Sequence, residues 1–213
     1  GTVLQNTKFA YGAMPEYTGA TPEKTATAEY TFSFAGWDPT IAEVTGEATY
    51  TATYTPAKRS YKVTYAAGEH GSITAKTETV EYGSKPTYTE ATPATGYSFD
   101  GWYNDGAKID TETFTVTGPV TLTAKFTANK YTVIFNANGG EGSMDNQEFT
   151  YGVAQNLKPN KFTKADANFA GWKVDNAGEL ISDGASLETL ATSGTVTLYA
   201  QWTNLYTVTL GGY

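Results

Sequence analysis

Leu198-Tyr199-Ala200-Gln201-Trp202-Thr203 has two counterparts upstream, Leu122-Thr123-Ala124-Lys125-Phe126-Thr127 and Tyr50-Thr51-Ala52-Thr53-Tyr54-Thr55. In each copy the first, third and fifth positions are large, alanine and large, while the others are mostly Thr, Lys or Gln. Alternation with a period of two is the mark of a strand with one buried and one wet face. A small residue held between two bulky ones implies that something passes close over Ala52, Ala124 and Ala200, and the expected neighbour is a helix or packed loop of the same module.

Three further landmarks precede this closing strand in fixed order. An opening strand reads Tyr61-Lys-Val-Thr-Tyr65, Tyr131-Thr-Val-Ile-Phe135 and Tyr206-Thr-Val-Thr-Leu210, at spacings of 70 and 75 residues. A Tyr-Gly pair falls at Tyr11-Gly12, Tyr82-Gly83 and Tyr151-Gly152. An aromatic-x-Gly-Trp segment then appears as Phe34-Ala-Gly-Trp37, Phe99-Asp-Gly-Trp102 and Phe169-Ala-Gly-Trp172. Ordered self-similarity of this kind marks a tandem array. Gly36, Gly101 and Gly171 are expected to relieve crowding or seat a bulge. Trp37, Trp102 and Trp172 are expected core anchors, and Tyr11, Tyr82 and Tyr151 are assigned structural roles beside them.

The period divides the chain into a module at 1–57 that lacks its first strand, modules at 58–128 and 129–204, and the opening strand of a further copy at 205–213. The connectors are short: Pro56-Ala-Lys-Arg-Ser60, Ala128-Asn-Lys130 and Asn204-Leu205. They leave little room for independent tumbling, so the modules are expected end to end as a stiff array. One short helix is expected near Ser186–Ala191, where Ser186 can cap and Leu187 and Leu190 share a face. A module of ~70 residues buries only about 60% of its unfolded surface, so aromatic side chains must carry the core.

Composition excludes much else. The 213 residues include no Cys, one His, 16 Tyr, 10 Phe and 4 Trp, with a formal charge of −8. Without cysteine or clustered ligands there is no basis for a zinc or iron–sulfur site, a thiol nucleophile or a redox pair. The acidic balance is the wrong electrostatics for a phosphate backbone, so no nucleic-acid partner is expected. No run approaches the roughly 20 apolar residues needed to cross a bilayer, so no membrane insertion is expected. The chain reads as a piece of a longer array, with no signal peptide and no wall-sorting motif.

Phe135-Asn-Ala-Asn-Gly-Gly140, Tyr151-Gly152, Phe169-Ala-Gly-Trp172 and Leu198-Tyr-Ala-Gln-Trp202 together resemble the Listeria-Bacteroides repeat, also called the internalin B-type B repeat. The third copy is the nearest match; the second is more divergent, and the first is similar to a Thr- and Ala-rich variant. The resemblance implies a small β-grasp-like module, hence a mainly β (small α+β) fold of three tandem β-grasp-like modules. It also implies a secreted or wall-attached bacterial surface protein, acting as stalk, spacer or adhesive surface. It implies no catalytic residue.

The residues that invite a chemical reading support this. Asn138-Gly-Gly-Glu-Gly142 lacks the third glycine and Gly-Lys-Ser/Thr of a phosphate loop and reads as a turn. His70, at the equivalent hairpin in the second copy, reads as a solvated turn residue. The 22 carboxylates hold no common register across the copies and form no calcium-loop pattern. No catalytic residue, metal or cofactor is therefore expected. The alternative is a carbohydrate- or host-protein-binding module that stacks ligand on exposed aromatics, with Tyr103, Tyr97 and Tyr199 as candidates. The orphan strand Tyr206–Leu210 supplies a further expectation, head-to-tail self-association through the open edge of the first copy of another molecule.

Overall fold

A computed structural model, describing residues 1–74 and 76–212, is built of strands, with no helix among the described residues. The first repeat contributes β1 (Tyr30–Asp38) and β2 (Thr51–Lys58). The second contributes β3 (Ser60–Ala67), β4 (Gly71–Ile73), β5 (Thr77–Glu81), β6 (Ala91–Pro93), β7 (Tyr97–Asn104), β8 (Ala107–Lys108) and β9 (Val120–Ala128). The third contributes β10 (Lys130–Asn136), β11 (Gln147–Thr150), β12 (Gln155–Asn156), β13 (Ala167–Val174), β14 (Ala177–Ile181), β15 (Ser186–Leu187) and β16 (Gly194–Asn204).

The second and third repeats share one topology. Their five-stranded sheets run β5-β3-β9-β7-β8 and β11-β10-β16-β13-β14, and two-stranded ribbons, β4-β6 and β12-β15, accompany them. In the third repeat the opening and closing strands, β10 and β16, are parallel, and every other pair in the sheet is antiparallel. A parallel pair needs a long crossover, which residues 137–193 supply. Among the described residues the first repeat forms one antiparallel pair, β1-β2.

The chain forms two compact units. One comprises Gly1–Tyr65, Ala75–Tyr88 and Asn104–Leu122; the other comprises Ala66–Thr74, Thr89–Tyr103 and Thr123–Tyr213. In the first unit Tyr61, Val63, Tyr65, Val80, Val116 and Leu122 are buried. In the second, Trp172 is fully enclosed among Tyr131, Val133, Phe135, Phe149, Leu157, Phe162, Val196, Leu198 and Ala200. Phe135, Phe162 and Phe169 each pack a ring against Trp172, at centroid distances of 5.0, 6.0 and 4.9 Å. Trp102 is likewise buried, whereas Trp37 is only half-buried.

Several expectations change in detail. Ser186–Ala191 is not helical: Ser186 and Leu187 form β15 and pair with Asn156 and Gln155. A six-residue segment cannot offset the cost of helix nucleation, and the ribbon seats Leu187 and Leu190 against the core instead. What stands over the closing-strand alanine is also not a helix. Trp37 lies directly opposite Ala52, and Trp172 directly opposite Ala200, so the space is needed by the indole on the neighbouring strand.

The Gly-Trp glycines do sit at bulges. Register shifts fall between Phe34 and Gly36 and between Phe169 and Gly171, and Gly36, Gly101 and Gly171 have φ of 131°, 150° and 140°. A Cβ on Gly171 would lie 2.5 Å from the Ile181 carbonyl. Finally, Tyr206–Leu210 is not a strand: β16 ends at Asn204, and Tyr206, Val208 and Leu210 are exposed. A strand exists only where a neighbour takes up its backbone hydrogen bonds.

Candidate functional site

The sites at which the array does something that one module cannot are the two junctions between successive repeats. At each, a single residue separates the closing strand of one repeat from the opening strand of the next: Arg59 between β2 and β3, and Asn129 between β9 and β10. Both are fastened on both sides. Arg59 donates its N–H to the Glu29 carbonyl of the preceding repeat at 2.8 Å, and its own carbonyl accepts from the Tyr82 N–H of the following repeat at 2.8 Å. Asn129 donates to the Gly96 carbonyl and accepts from the Tyr151 N–H, again at 2.8 Å each.

These bonds give the Tyr-Gly landmark its purpose. Gly83 and Gly152, with φ of 79° and 69°, turn the chain sharply after the tyrosine, a conformation that glycine adopts without penalty. The turn leaves the tyrosine N–H aimed at the connector carbonyl, while the glycine N–H is taken up by Val116 or Glu188 of its own repeat. Gly12 makes the same turn and bonds the Val44 carbonyl. Tyr11 is 83% exposed, in contrast to its half-buried counterparts Tyr82 and Tyr151, and no connector lies against it among the described residues.

Side chains reinforce each junction differently. At the first, the Arg59 guanidinium donates to the Thr27 carbonyl at 2.8 Å and lies 5.1 Å from the Tyr61 ring centroid. The Tyr61 hydroxyl donates to the Ala28 carbonyl. At the second, the Asn129 amide accepts from the Ser98 hydroxyl on one side and donates to the Thr192 carbonyl on the other, at 2.5 and 3.0 Å. The Tyr97 ring stacks on His70 at 4.1 Å with an interplanar angle of 4° and meets the Tyr151 ring edge-on at 5.7 Å. Gly96 (φ 80°) lies directly beneath the Tyr151 ring, where any Cβ would overlap Cγ, Cδ1 and Cε1.

The three tyrosines singled out for ligand stacking have separate surroundings. Tyr97 is committed to the second junction. Tyr103 is half-buried, its hydroxyl donating to the Asp100 carboxylate at 2.5 Å while the Lys125 ammonium sits 4.2 Å from its ring centroid. Tyr199 is half-buried in β16, opposite Lys173 and Asn136. A separate hollow of about 370 Å³ in the first repeat is lined by Pro15, Tyr17, Pro22, Phe34, Trp37 and Ile41. His70 has φ of 66° in its turn, as has Asn138 at 47° in the equivalent one, and no metal-holding cluster of His, Cys, Asp or Glu occurs among the described residues.

Arg59, Gly96 and Asn129 are the residues that sequence reasoning passed over. The signal for Arg59 and Asn129 is the strictly short connector, which leaves one residue between two strands and so forces its N–H and C=O to find partners in the flanking repeats.

Comparison with known proteins matches residues 61–130 to the divergent InlB B-repeat domain and residues 131–201 to the Listeria-Bacteroides repeat domain. A protein named as a Gly-rich membrane protein of Evansella cellulosilytica is 38% identical over 133 residues, covering 60% of this chain and 15% of the relative. A second protein of that bacterium, named as a membrane protein, is 38% identical over 136 residues, covering 62% of this chain and 20% of the relative. Internalin H of Listeria monocytogenes is 34% identical over 139 residues, covering 62% and 24% respectively. The chain thus spans less than a quarter of the length of each of these relatives.

Proposed function

With residues 61–130 and 131–201 belonging to the divergent InlB B-repeat and Listeria-Bacteroides repeat families, we propose that the chain is a non-catalytic repeat region of a bacterial surface protein, secreted or wall-attached, and serves as a spacer. The observation that carries this reading is the doubly hydrogen-bonded connector, Arg59 at one junction and Asn129 at the other. A linker meant to flex has solvated backbone groups; here the connector's N–H and C=O are both taken up by protein. The names of the relatives, internalin and membrane proteins, support a place at the cell surface. Adhesion would come from surface presented by each repeat, with an unidentified protein or glycan at a cell surface as partner.

The test is single-molecule extension of the chain between two handles. A spacer built this way lengthens in discrete steps, one for each unit that unfolds, with no soft extension before the first step. Gradual lengthening at low force, of the kind free linkers give, overturns the reading.

A second reading, ligand binding, is favoured by one observation, the hollow with Tyr17, Phe34 and Trp37 in its lining. It predicts a change in tryptophan fluorescence on titration with polysaccharides that is lost in Tyr17→Ala. An unchanged spectrum leaves the spacer reading alone.

A further inference from the structure

The way the chain enters and leaves the third repeat decides how that repeat meets tension. The chain enters on β10, whose first residue is Lys130, and leaves on β16, whose last is Asn204. These strands are direct neighbours and run parallel, paired at six positions from Tyr131 opposite Gly194 to Asn136 opposite Tyr199. Entry therefore lies at one end of the paired ladder and exit lies beyond the other. A pull on the flanking chain draws β10 backwards and β16 forwards along their common direction, across the hydrogen bonds that join them. All six pairs are loaded together. Had the two strands been antiparallel, entry and exit would share one end, and the same pull would open the pairs one after another.

Side chains oppose sliding as well. Tyr131, Val133 and Phe135 point from β10 into the core, where they meet Val196, Leu198 and Ala200 of β16. A slip of one residue would turn the whole buried set of β10 to the wet face, because the side-chain period is two. The smallest slip that keeps the apolar face inward is two residues, about 6.6 Å at the rise of a parallel strand. Such a slip pulls Tyr131 out of its seat.

That seat is well made. The Tyr131 ring stacks on Phe149 at 5.5 Å with an interplanar angle of 20°, and its hydroxyl accepts from the Leu190 N–H at 3.2 Å. Just outside it, the Asn129 side chain donates to the Thr192 carbonyl at 3.0 Å. β11 holds the other side of β10 from Lys130 to Val133. At the exit, the Leu205 N–H donates to the Asp166 carbonyl at 2.7 Å, and β13 pairs β16 as far as Asn204.

We propose that the third repeat is a tension clamp: the parallel pair β10-β16 lies in the line of force and makes the repeat yield late and in one event. The clamp rests on the spacer reading, since a chain that spans a gap is the one pulled from both sides. The opening and closing strands of the second repeat, β3 and β9, are neighbours at the same places in their sheet.

The direction of pull tests this without altering the core. The chain has no cysteine, so two introduced thiols define where handles attach. Lys130→Cys with Thr203→Cys pulls β10 and β16 lengthwise. Lys130→Cys with Ser193→Cys pulls the same strands apart from the end where Tyr131 faces Gly194. All three positions are exposed, so thermal melts of both double variants should match the wild type. Single-molecule extension of the full chain should show an abrupt step in each geometry. The lengthwise force should be at least about twofold the higher, because six pairs share the load there and one at a time bears it in the other. Any smaller ratio overturns the clamp and leaves the spacer reading standing. Gradual lengthening of the wild-type chain held at its two ends overturns the spacer reading, and the clamp's role with it, whatever the ratio.

Discussion

Replacing Gly96 by alanine isolates what a junction contributes. Two penalties act together at this position. The backbone has φ of 80°, and the left-handed region costs a residue with a Cβ about 1–2 kcal/mol. The added methyl also overlaps the Tyr151 ring. The ring must swing away, losing the edge-on contact with Tyr97, and such aromatic pairs contribute about 0.5–1.5 kcal/mol. The expected loss is therefore about 1.5–3.5 kcal/mol.

Gly178 provides the control. Its φ is 76°, but a Cβ there would meet nothing within 4 Å. Gly178→Ala therefore bears the backbone penalty alone, about 1–2 kcal/mol. Urea unfolding followed by tryptophan fluorescence gives both values under one set of conditions, and the variants should differ by about 1 kcal/mol with Gly96→Ala the less stable. Equal destabilisation would refute the reasoning, since it would mean that the Tyr151 ring contributes nothing by lying over Gly96.

Other consequences can be checked alongside. Trp172→Ala empties the centre of the third-repeat core and should cost about 3–5 kcal/mol, enough to abolish a separate cooperative transition for that repeat in a thermal melt. Tyr151→Ala should destabilise by about 1–3 kcal/mol, whereas Tyr11→Ala, at an 83% exposed site, should stay within about 0.5 kcal/mol of wild type in the same urea assay. Stability should also respond to pH through Glu78 and Tyr65. Burial raises the Glu78 carboxyl, but hydrogen bonds from the Tyr65 hydroxyl and from the hydroxyl and N–H of Thr87 outweigh it, leaving the group below its ordinary 4.5. Its contribution is thus present above pH 4.5 and drains away as pH falls through the lower folded value. The Tyr65 hydroxyl is raised by burial and by its bond to Glu78, so its contribution holds below the ordinary 10.0 and is lost as pH rises beyond it. Urea midpoints of Glu78→Gln should accordingly fall less steeply than wild type between about pH 5 and pH 3.

The strands were legible because each carries its burial in its own alternation. Leu198-x-Ala200-x-Trp202 reads as a strand without any neighbour, and Gly171 beside Trp172 announces a bulge. Features that depend on a partner were harder to read. Ser186–Ala191 has a local helical pattern, but the available partner is the exposed edge at Gln155–Asn156, and pairing prevails over a helix too short to nucleate. Tyr206–Leu210 has the sequence of β10 but no neighbour, and so no strand forms. Ala200 correctly signals a close approach, yet a single sequence does not say that the approaching group is Trp172 on the adjacent strand. The junction was the least visible. Tyr151 and Asn129 are 22 positions apart, and nothing in either residue type announces a backbone bond between them.

Hydrogen exchange of individual backbone amides, read by NMR on the unmodified chain, tests the central claim most directly. If the connectors are fastened as described, the N–H groups of Arg59, Tyr82, Asn129 and Tyr151 exchange about as slowly as Val133 and Leu198 in the core, because opening them requires the repeats to separate. Exchange of these four at the rate of solvated loop amides, with Val133 and Leu198 still protected, would show that the repeats are joined by free linkers and would contradict the account.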